Sequence, residues 1–183
     1  MEYNSLLILI TVIFSAVMLF IAIAAIVKKR YTLLPEHIAT YIFYLAFLIS
    51  QYMLNFQVNL LIILMVLITL IGNSLIGKYL YVYNTSKHYD RFLHAFGAFS
   101  FALFYYSILH KLAMPIVSSK LYIGVFVAAI GISLGCIFEI YEFIADSITT
   151  SNNQHGLKDT NFDMISNIIG SSIAGIVSIW IFL

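Results

Sequence analysis

The chain has 183 residues, of which 62% are hydrophobic and 9% are charged, and its mean hydropathy is +1.01. Soluble globular domains usually carry about 25% charged residues, so this composition excludes a soluble fold and indicates that lipid surrounds most of the chain. The formal net charge of +1 lacks the basic excess of a nucleic-acid-binding protein, and we expect no nucleic-acid partner.

Six apolar segments are each long enough to cross the roughly 30 Å hydrocarbon core of a bilayer as a helix. Helices are expected because backbone groups in lipid must pair within their own segment unless a barrel closes. The segments also lack the polar–apolar alternation of barrel strands. We predict an all-α polytopic bundle that forms a single integral membrane domain over residues 1–183. The predicted helices cover residues 5–27, 36–54, 57–77, 90–109, 120–146 and 163–183.

The basic residues predict an orientation in the membrane, because lysine and arginine accumulate in cytoplasmic loops. If the loop after the first helix is cytoplasmic, seven basic residues lie inside and two lie outside. The inside set is Lys28, Lys29, Arg30, Lys78, Lys87, Arg91 and Lys158, and the outside set is Lys111 and Lys120. Six crossings are an even number, so both termini are predicted to lie outside.

Several polar residues are predicted to have ordinary structural roles. Four histidines lie at helix ends or in loops, where we expect contact with solvent: His37, His88, His110 and His155. Cys136 lies in an apolar stretch and is expected to be a buried, inert thiol. Asn73 lies near the inner end of the third helix, where it is a candidate to join a site at that leaflet.

Nearly all ionisable residues within the predicted helices belong to the last three, and such residues are costly in lipid unless they have a function or a partner. The fourth helix opens with Asp90, Arg91 and His94, and Asp90 and His94 share one face. The fifth helix ends with Glu139, Glu142 and Asp146, also on one face. The sixth is preceded by Asp159 and Thr160 and opens with Asp163 and Asn167. These ends meet at the leaflet predicted to be cytoplasmic, so we expect one acidic pocket with a histidine.

Several carboxylates with one imidazole suit a divalent cation such as Mg²⁺, Mn²⁺ or Zn²⁺. A cation at this depth could polarise a phosphate or generate hydroxide, and a membrane lipid would be the natural partner. The candidate metal ligands are Asp90, Glu142, Asp146, Asp159 and Asp163. The candidate catalytic residues are His94, Glu139 and Arg91, with Asn167 and Thr160 as further polar members of the site.

Two alternatives stay open at the level of sequence, and so does whether the chain is an enzyme. A cluster of carboxylates also suits ion or ligand passage in a small transporter or channel that works as a homo-oligomer. In a structural or assembly factor, Arg91 would pair with Glu142 or Asp146, and Asp163 would cap the sixth helix.

Small residues at helical spacing predict close packing of the last three helices. The fifth helix has Gly131 and Gly135, and the sixth has Ser171 and Gly175, each pair four residues apart. Such spacings let membrane helices approach backbone to backbone.

Three segments together carry a resemblance to a known family: DRFLHAFGAF at 90–99, GCIFEIYEFIAD at 135–146 and QHGLKDTNFDMISNIIG at 154–170. In this order they resemble the YjdF-type bacterial inner-membrane proteins, and they are more distantly similar to VanZ-like proteins. The resemblance implies a multi-pass protein of the bacterial inner membrane with a link to the cell envelope. It also implies that the site residues above, with Gly156 and Gly170, occupy the family's signature positions.

Overall fold

The computed structural model describes residues 3–113, 119–149 and 153–182, and the part it describes is helical without a strand. Six helices are long and apolar enough to cross a membrane. They are formed by α1 (Tyr3–Val27), α2 (Leu34–Met53), α3 (Leu60–Ile71), α4 (Lys87–Ala113), α5 (Lys120–Ile148) and α6 (Leu157–Ile181). Two of the spans are longer than the α-helix itself, since the second begins at Tyr31 and the third continues to Tyr79. The predicted all-α polytopic fold is therefore confirmed.

Four helices begin before the positions that hydropathy predicts, and the shifts are largest for α4 and α6. α4 begins at Lys87 instead of residue 90, and α6 begins at Leu157 instead of residue 163. α6 follows Gly156, whose φ of 105° is a backbone conformation that favours glycine. The early start places Asp159 in the first turn of α6 and Asp163 in its second turn. The expectation that Asp163 caps this helix is therefore wrong.

The helices form two compact units, one over residues 1–85 and the other over residues 86–183. In the first unit, α3 continues as a π-helix over Gly72–Tyr79. Backbone hydrogen bonds in a π-helix join residues that are five apart, instead of four apart as in an α-helix. The guanidinium of Arg30 donates hydrogen bonds to the carbonyls of Tyr79 (2.7 Å) and Lys78 (2.9 Å). Arg30 thus binds carbonyls at the end of the π-helix.

Two residues of the first unit, Asn73 and His37, have environments that the sequence did not predict. The Glu36 carboxylate pairs with Lys78 and accepts a hydrogen bond of 3.0 Å from Asn73 Nδ2. Asn73 Oδ1 in turn accepts one of 2.7 Å from the Tyr83 hydroxyl, so these bonds hold Asn73 within this unit. His37 is only 2% exposed, which corrects the expectation that it contacts solvent.

In the second unit α4, α5 and α6 pack closely through small residues. A Cβ atom added at Gly170 of α6 would overlap the backbone carbonyl group of Ala95 on α4. One added at Gly175 would come within 2.5 Å of the Gly124 carbonyl oxygen on α5. The predicted backbone-to-backbone approach is confirmed. Cys136 is exposed on α5, so the prediction that it is buried is wrong.

Candidate metal centre

His94 lies between carboxylates from two helices of the second unit. Its Nε2 atom is 3.6 Å from Asp90 Oδ1, one turn earlier on α4. Its Nδ1 atom is 3.6 Å from Glu139 Oε1 on α5. The edge of the Phe138 ring packs against the imidazole, with 5.7 Å between ring centroids. Only 8% of the His94 side chain is exposed, so its two nitrogens face protein groups.

α6 adds a third carboxylate to this arrangement. Ligand atoms of Asp90, His94 and Asp163 all lie within 4.8 Å of one another, and so do those of His94, Glu139 and Glu142. Tetrahedral ligands about 2.1 Å from a zinc ion are about 3.4 Å apart. The 3.6 Å contacts of His94 are close to that spacing, and the other separations, which are at most 4.8 Å, would have to contract by up to about 1.4 Å to reach it. Either group could therefore hold a metal ion.

Several buried polar atoms of this region have no hydrogen-bond partner among the described residues. They are Glu139 Oε1 and Oε2, Asp163 Oδ1, Asn167 Nδ2, Ser171 Oγ and Arg91 Nε. Buried polar groups normally have partners, and buried carboxylates without a cation or a proton carry a large cost. The unsatisfied atoms are both acceptors and donors. The acceptors among them suit a cation, and the donors suit an oxygen-bearing group.

Arg91 lies next to this centre on α4, and its carboxylate partner differs from the predicted ones. Its Nη2 atom is 3.9 Å from Asp159 Oδ1, in place of the predicted pairing with Glu142 or Asp146. The guanidinium also lies 4.1 Å from the centroid of the Phe162 ring, a cation–π contact. Asp159 faces His155 as well, with Nδ1 and Oδ2 3.3 Å apart. Asp159 is therefore engaged by two basic side chains.

Asp146 holds the connection between α5 and α6. Its carboxylate accepts hydrogen bonds from the backbone amides of Asn153 (2.8 Å) and Gln154 (2.8 Å) and from Asn153 Nδ2 (2.9 Å). Gln154 Nε2 then donates to the Glu139 backbone carbonyl at 3.1 Å. Asp146 thus fixes a loop segment above the centre. It belongs to neither group of candidate ligands.

The structure brings together only part of the predicted set. Asp90, His94, Glu139, Glu142 and Asp163 converge, and Asn167 also interacts with the His94 side chain. Arg91 and Asp159 lie beside them as a pair. Thr160 donates its backbone amide to the Gly156 carbonyl at 3.2 Å and lies outside both ligand groups.

Four contacts at the centre were missed by sequence reasoning. They involve Phe138, Gln154, His155 and Phe162. The spacing of four between His155 and Asp159 is a usable signal, because residues four apart can face each other when a helix begins nearby. The contacts of the other three depend on how neighbouring helices and the loop are placed.

Comparison with known proteins identifies the family. Residues 6–183 match the family described as "Predicted membrane protein (DUF2238)", so the chain belongs to this family and is a multi-pass membrane protein. A Thermotoga maritima protein described as "Uncharacterized protein" is 33% identical over 104 residues, which are 54% of this chain and 51% of that relative. The chain thus spans about half the length of the relative it matches. No solved structure matches.

Proposed function

We propose that this chain binds a divalent cation through Asp90, His94 and Asp163 and uses it to engage the head group of a membrane lipid. The observation that carries the proposal is the convergence of these three side chains, with ligand atoms within 4.8 Å of one another. Asp163 is 4% exposed, and its Oδ1 atom has no hydrogen-bond partner among the described residues. A cation would supply that partner.

The chemistry of imidazole determines how the two ligand groups share His94. A neutral imidazole has one nitrogen lone pair, so it binds a metal through one nitrogen and donates its N–H from the other. Nε2 faces Asp90, while Nδ1 faces Glu139. In our proposal Nε2 binds the cation beside Asp90 and Asp163, and Nδ1–H donates to Glu139. Carboxylates in this supporting position are common at metal sites and orient the imidazole.

The ligand set limits the identity of the cation. Two carboxylates and one imidazole suit Mn²⁺ or Zn²⁺, and Mg²⁺ is also compatible if water supplies further oxygen ligands. The nearby Glu139 and Glu142 add negative charge, which favours a divalent ion over a neutral ligand. Such a cation would supply a Lewis acid at the head group, so the proposal covers both lipid binding and a metal-dependent reaction there.

The depth of the centre supports a lipid head group as the partner. α4 has 27 residues and α6 has 25, so their lengths are about 40 Å and 37 Å. Both exceed the roughly 30 Å hydrocarbon core. His94 and Asp163 lie six or seven residues after the first residue of their helices, about 10 Å along the axis. This depth is near the boundary between acyl chains and head groups. The resemblance to YjdF-type and VanZ-like proteins is in keeping with a role in the bacterial cell envelope.

The packing of the second unit favours this proposal over passage of ions along α6. Beyond Asn167, the next polar residue on the same face is Ser171. A Cβ atom at Gly131 would overlap the Ser171 side chain and come within 2.9 Å of Ala102 Cβ. The three helices are therefore in close contact at this level, which leaves little room for a hydrated path.

Metal analysis of the purified full-length chain tests the proposal. The chain is loaded separately with Mg²⁺, Mn²⁺ and Zn²⁺ in detergent and desalted, and the retained metal is measured by mass spectrometry. We expect one ion per chain in the wild type and loss of that ion in His94→Ala and Asp163→Asn. Glu36→Gln is the matched control, because it neutralises a carboxylate in a spanning helix of the first unit.

Each result has a defined meaning. Metal that is retained by the wild type and by Glu36→Gln, and lost from the two site variants, supports the proposal. A wild type that elutes as a single folded species but retains no metal refutes it. Retention by His94→Ala and Asp163→Asn also refutes it, since the ion would then lie elsewhere.

A further inference from the structure

The metal centre contains hydrogen-bond donors that a cation cannot use. Asn167 is 4% exposed, and its Nδ2 atom has no hydrogen-bond partner among the described residues. Its side chain interacts with His94, so its amide lies at the centre. Arg91 Nε is likewise buried without a partner in the described part of the chain. Unsatisfied buried donors require an oxygen acceptor.

Arg91 retains capacity to bind an anion despite its contact with Asp159. The distance of 3.9 Å between Nη2 and Asp159 Oδ1 is longer than the 2.7–2.9 Å typical of a charge-assisted hydrogen bond. Phe162 lies against the guanidinium and restricts its orientation. Arg91 is also close enough to interact electrostatically with Asp90 and Asp163. The positive charge of Arg91 is therefore close to the two carboxylates, Asp90 and Asp163, that are proposed to bind the cation.

We propose that Arg91, Asn167 and the cation together bind a phosphoryl group. This inference rests on the proposed function, because the cation provides one of the three contacts. Asn167 lies one turn beyond Asp163 on α6, and Arg91 lies one turn before His94 on α4. The donors thus flank the proposed ligands. A phosphate monoester has three terminal oxygens, one for each contact, whereas a carboxylate has two. Arginine with a divalent cation is a common pair for phosphate recognition.

The phosphoryl group could belong to a lipid head group or to free phosphate, and ³¹P NMR separates the two sources. The full-length chain is loaded with Mn²⁺ in phosphatidylcholine nanodiscs, where bound Mn²⁺ broadens the signal of a nearby phosphorus. One arm adds inorganic phosphate to the buffer, and the other includes phosphatidic acid in the nanodisc. Retained Mn²⁺ is measured in the same samples.

Three variants make the test specific. Arg91→Gln and Asn167→Ala are expected to keep Mn²⁺ and to weaken phosphate binding by about tenfold or more, the usual effect of losing a hydrogen bond to a charged group. Lys158→Gln is the control. It removes one exposed positive charge from the first turn of α6 and should leave phosphate binding unchanged. If Asn167→Ala releases Mn²⁺, phosphate binding by Arg91→Gln is compared with that by Lys158→Gln. Weaker binding by Arg91→Gln then supports the inference, and equal binding overturns it.

The outcomes separate this inference from the proposed function. Broadening of phosphatidic acid alone supports a lipid head group, and broadening of inorganic phosphate supports a soluble phosphate. Mn²⁺-loaded protein that broadens neither signal overturns the inference and leaves the cation proposal intact. Equal phosphate binding by wild type, Arg91→Gln and Asn167→Ala also overturns it. Failure of the wild type to hold Mn²⁺ refutes the proposed function itself.

Discussion

Replacement of Gly170 by alanine tests whether close packing of α4 and α6 positions the candidate metal centre. The added Cβ would overlap the backbone carbonyl group of Ala95, a group that no side-chain rotation can move. Ordinary contact distances require the two helices to separate by roughly 1 Å or more at this level. Overpacking of this kind costs about 1–3 kcal/mol of stability.

The same displacement should affect metal binding more than folding. Ala95 follows His94 directly on α4, while Asp163 lies two turns before Gly170 on α6, so separation of the helices moves one ligand away from another. Metal sites tolerate deviations of only about 0.2 Å in ligand distance. We therefore expect Gly170→Ala to remain folded with a lower unfolding temperature and to lose Mn²⁺.

Thermal unfolding in detergent and Mn²⁺ binding by electron paramagnetic resonance measure the two effects. Gly124→Ala is the control, because its Cβ would lie 3.1 Å from the Gly175 carbonyl oxygen, a contact that a shift of a few tenths of an ångström relieves. It should keep Mn²⁺ with little loss of stability. A Gly170→Ala protein with wild-type stability and wild-type Mn²⁺ affinity would falsify the argument that this contact sets the position of the ligands.

Three further predictions test separate features of the chain. Asp163→Asn should reduce Mn²⁺ affinity more than Glu139→Gln does, because Glu139 only supports a ligand and its loss should lower the affinity by about 10- to 100-fold. Titration calorimetry measures both affinities, and the reverse order would make Glu139 the ligand and Asp163 the supporting residue. Lys78→Met should destabilise the fold by about 1–3 kcal/mol, because it leaves Glu36 without its charged partner. In chemical denaturation, the double variant Glu36→Gln, Lys78→Met should regain part of the stability that Lys78→Met loses. If the stability losses of the two single variants simply add in the double variant, the pairing is contradicted. Alkaline phosphatase fused to either terminus should be active in bacterial cells, and an inactive fusion at either end would contradict the predicted orientation.

Helix number and the approach of Asp90 and His94 to Glu139 could be predicted from sequence, because both follow from the spacing of residues along the chain. The i, i+4 relation of Asp90 and His94 and the opposite direction of successive helices are enough to bring these residues near Glu139. The start of α6 was harder to predict. Residues 157–162 are too polar to count as part of an apolar span, yet they form a regular helix, since a turn outside the hydrocarbon can pair its backbone in the same way.

The roles of individual carboxylates could not be predicted from helix spacing. Glu139, Glu142 and Asp146 share one face of α5, so the pattern places all three in one pocket. Asp146 instead accepts hydrogen bonds from Asn153 and Gln154, because these two residues lie against the end of the helix. Which carboxylate meets the loop and which meets His94 depends on the path of the connection, and helical periodicity carries no information about that path.

Gly135 links helix packing to the chemistry of the centre. A Cβ atom added there would lie 2.6 Å from Asn167 Cγ and 2.7 Å from its Nδ2 atom, so the missing side chain of Gly135 provides the space that the Asn167 amide occupies. The Asn167 side chain also interacts with His94 on α4. The glycine spacing on α5 therefore does more than allow close packing. It leaves room for a buried amide from α6 to pack against α5 beside the imidazole.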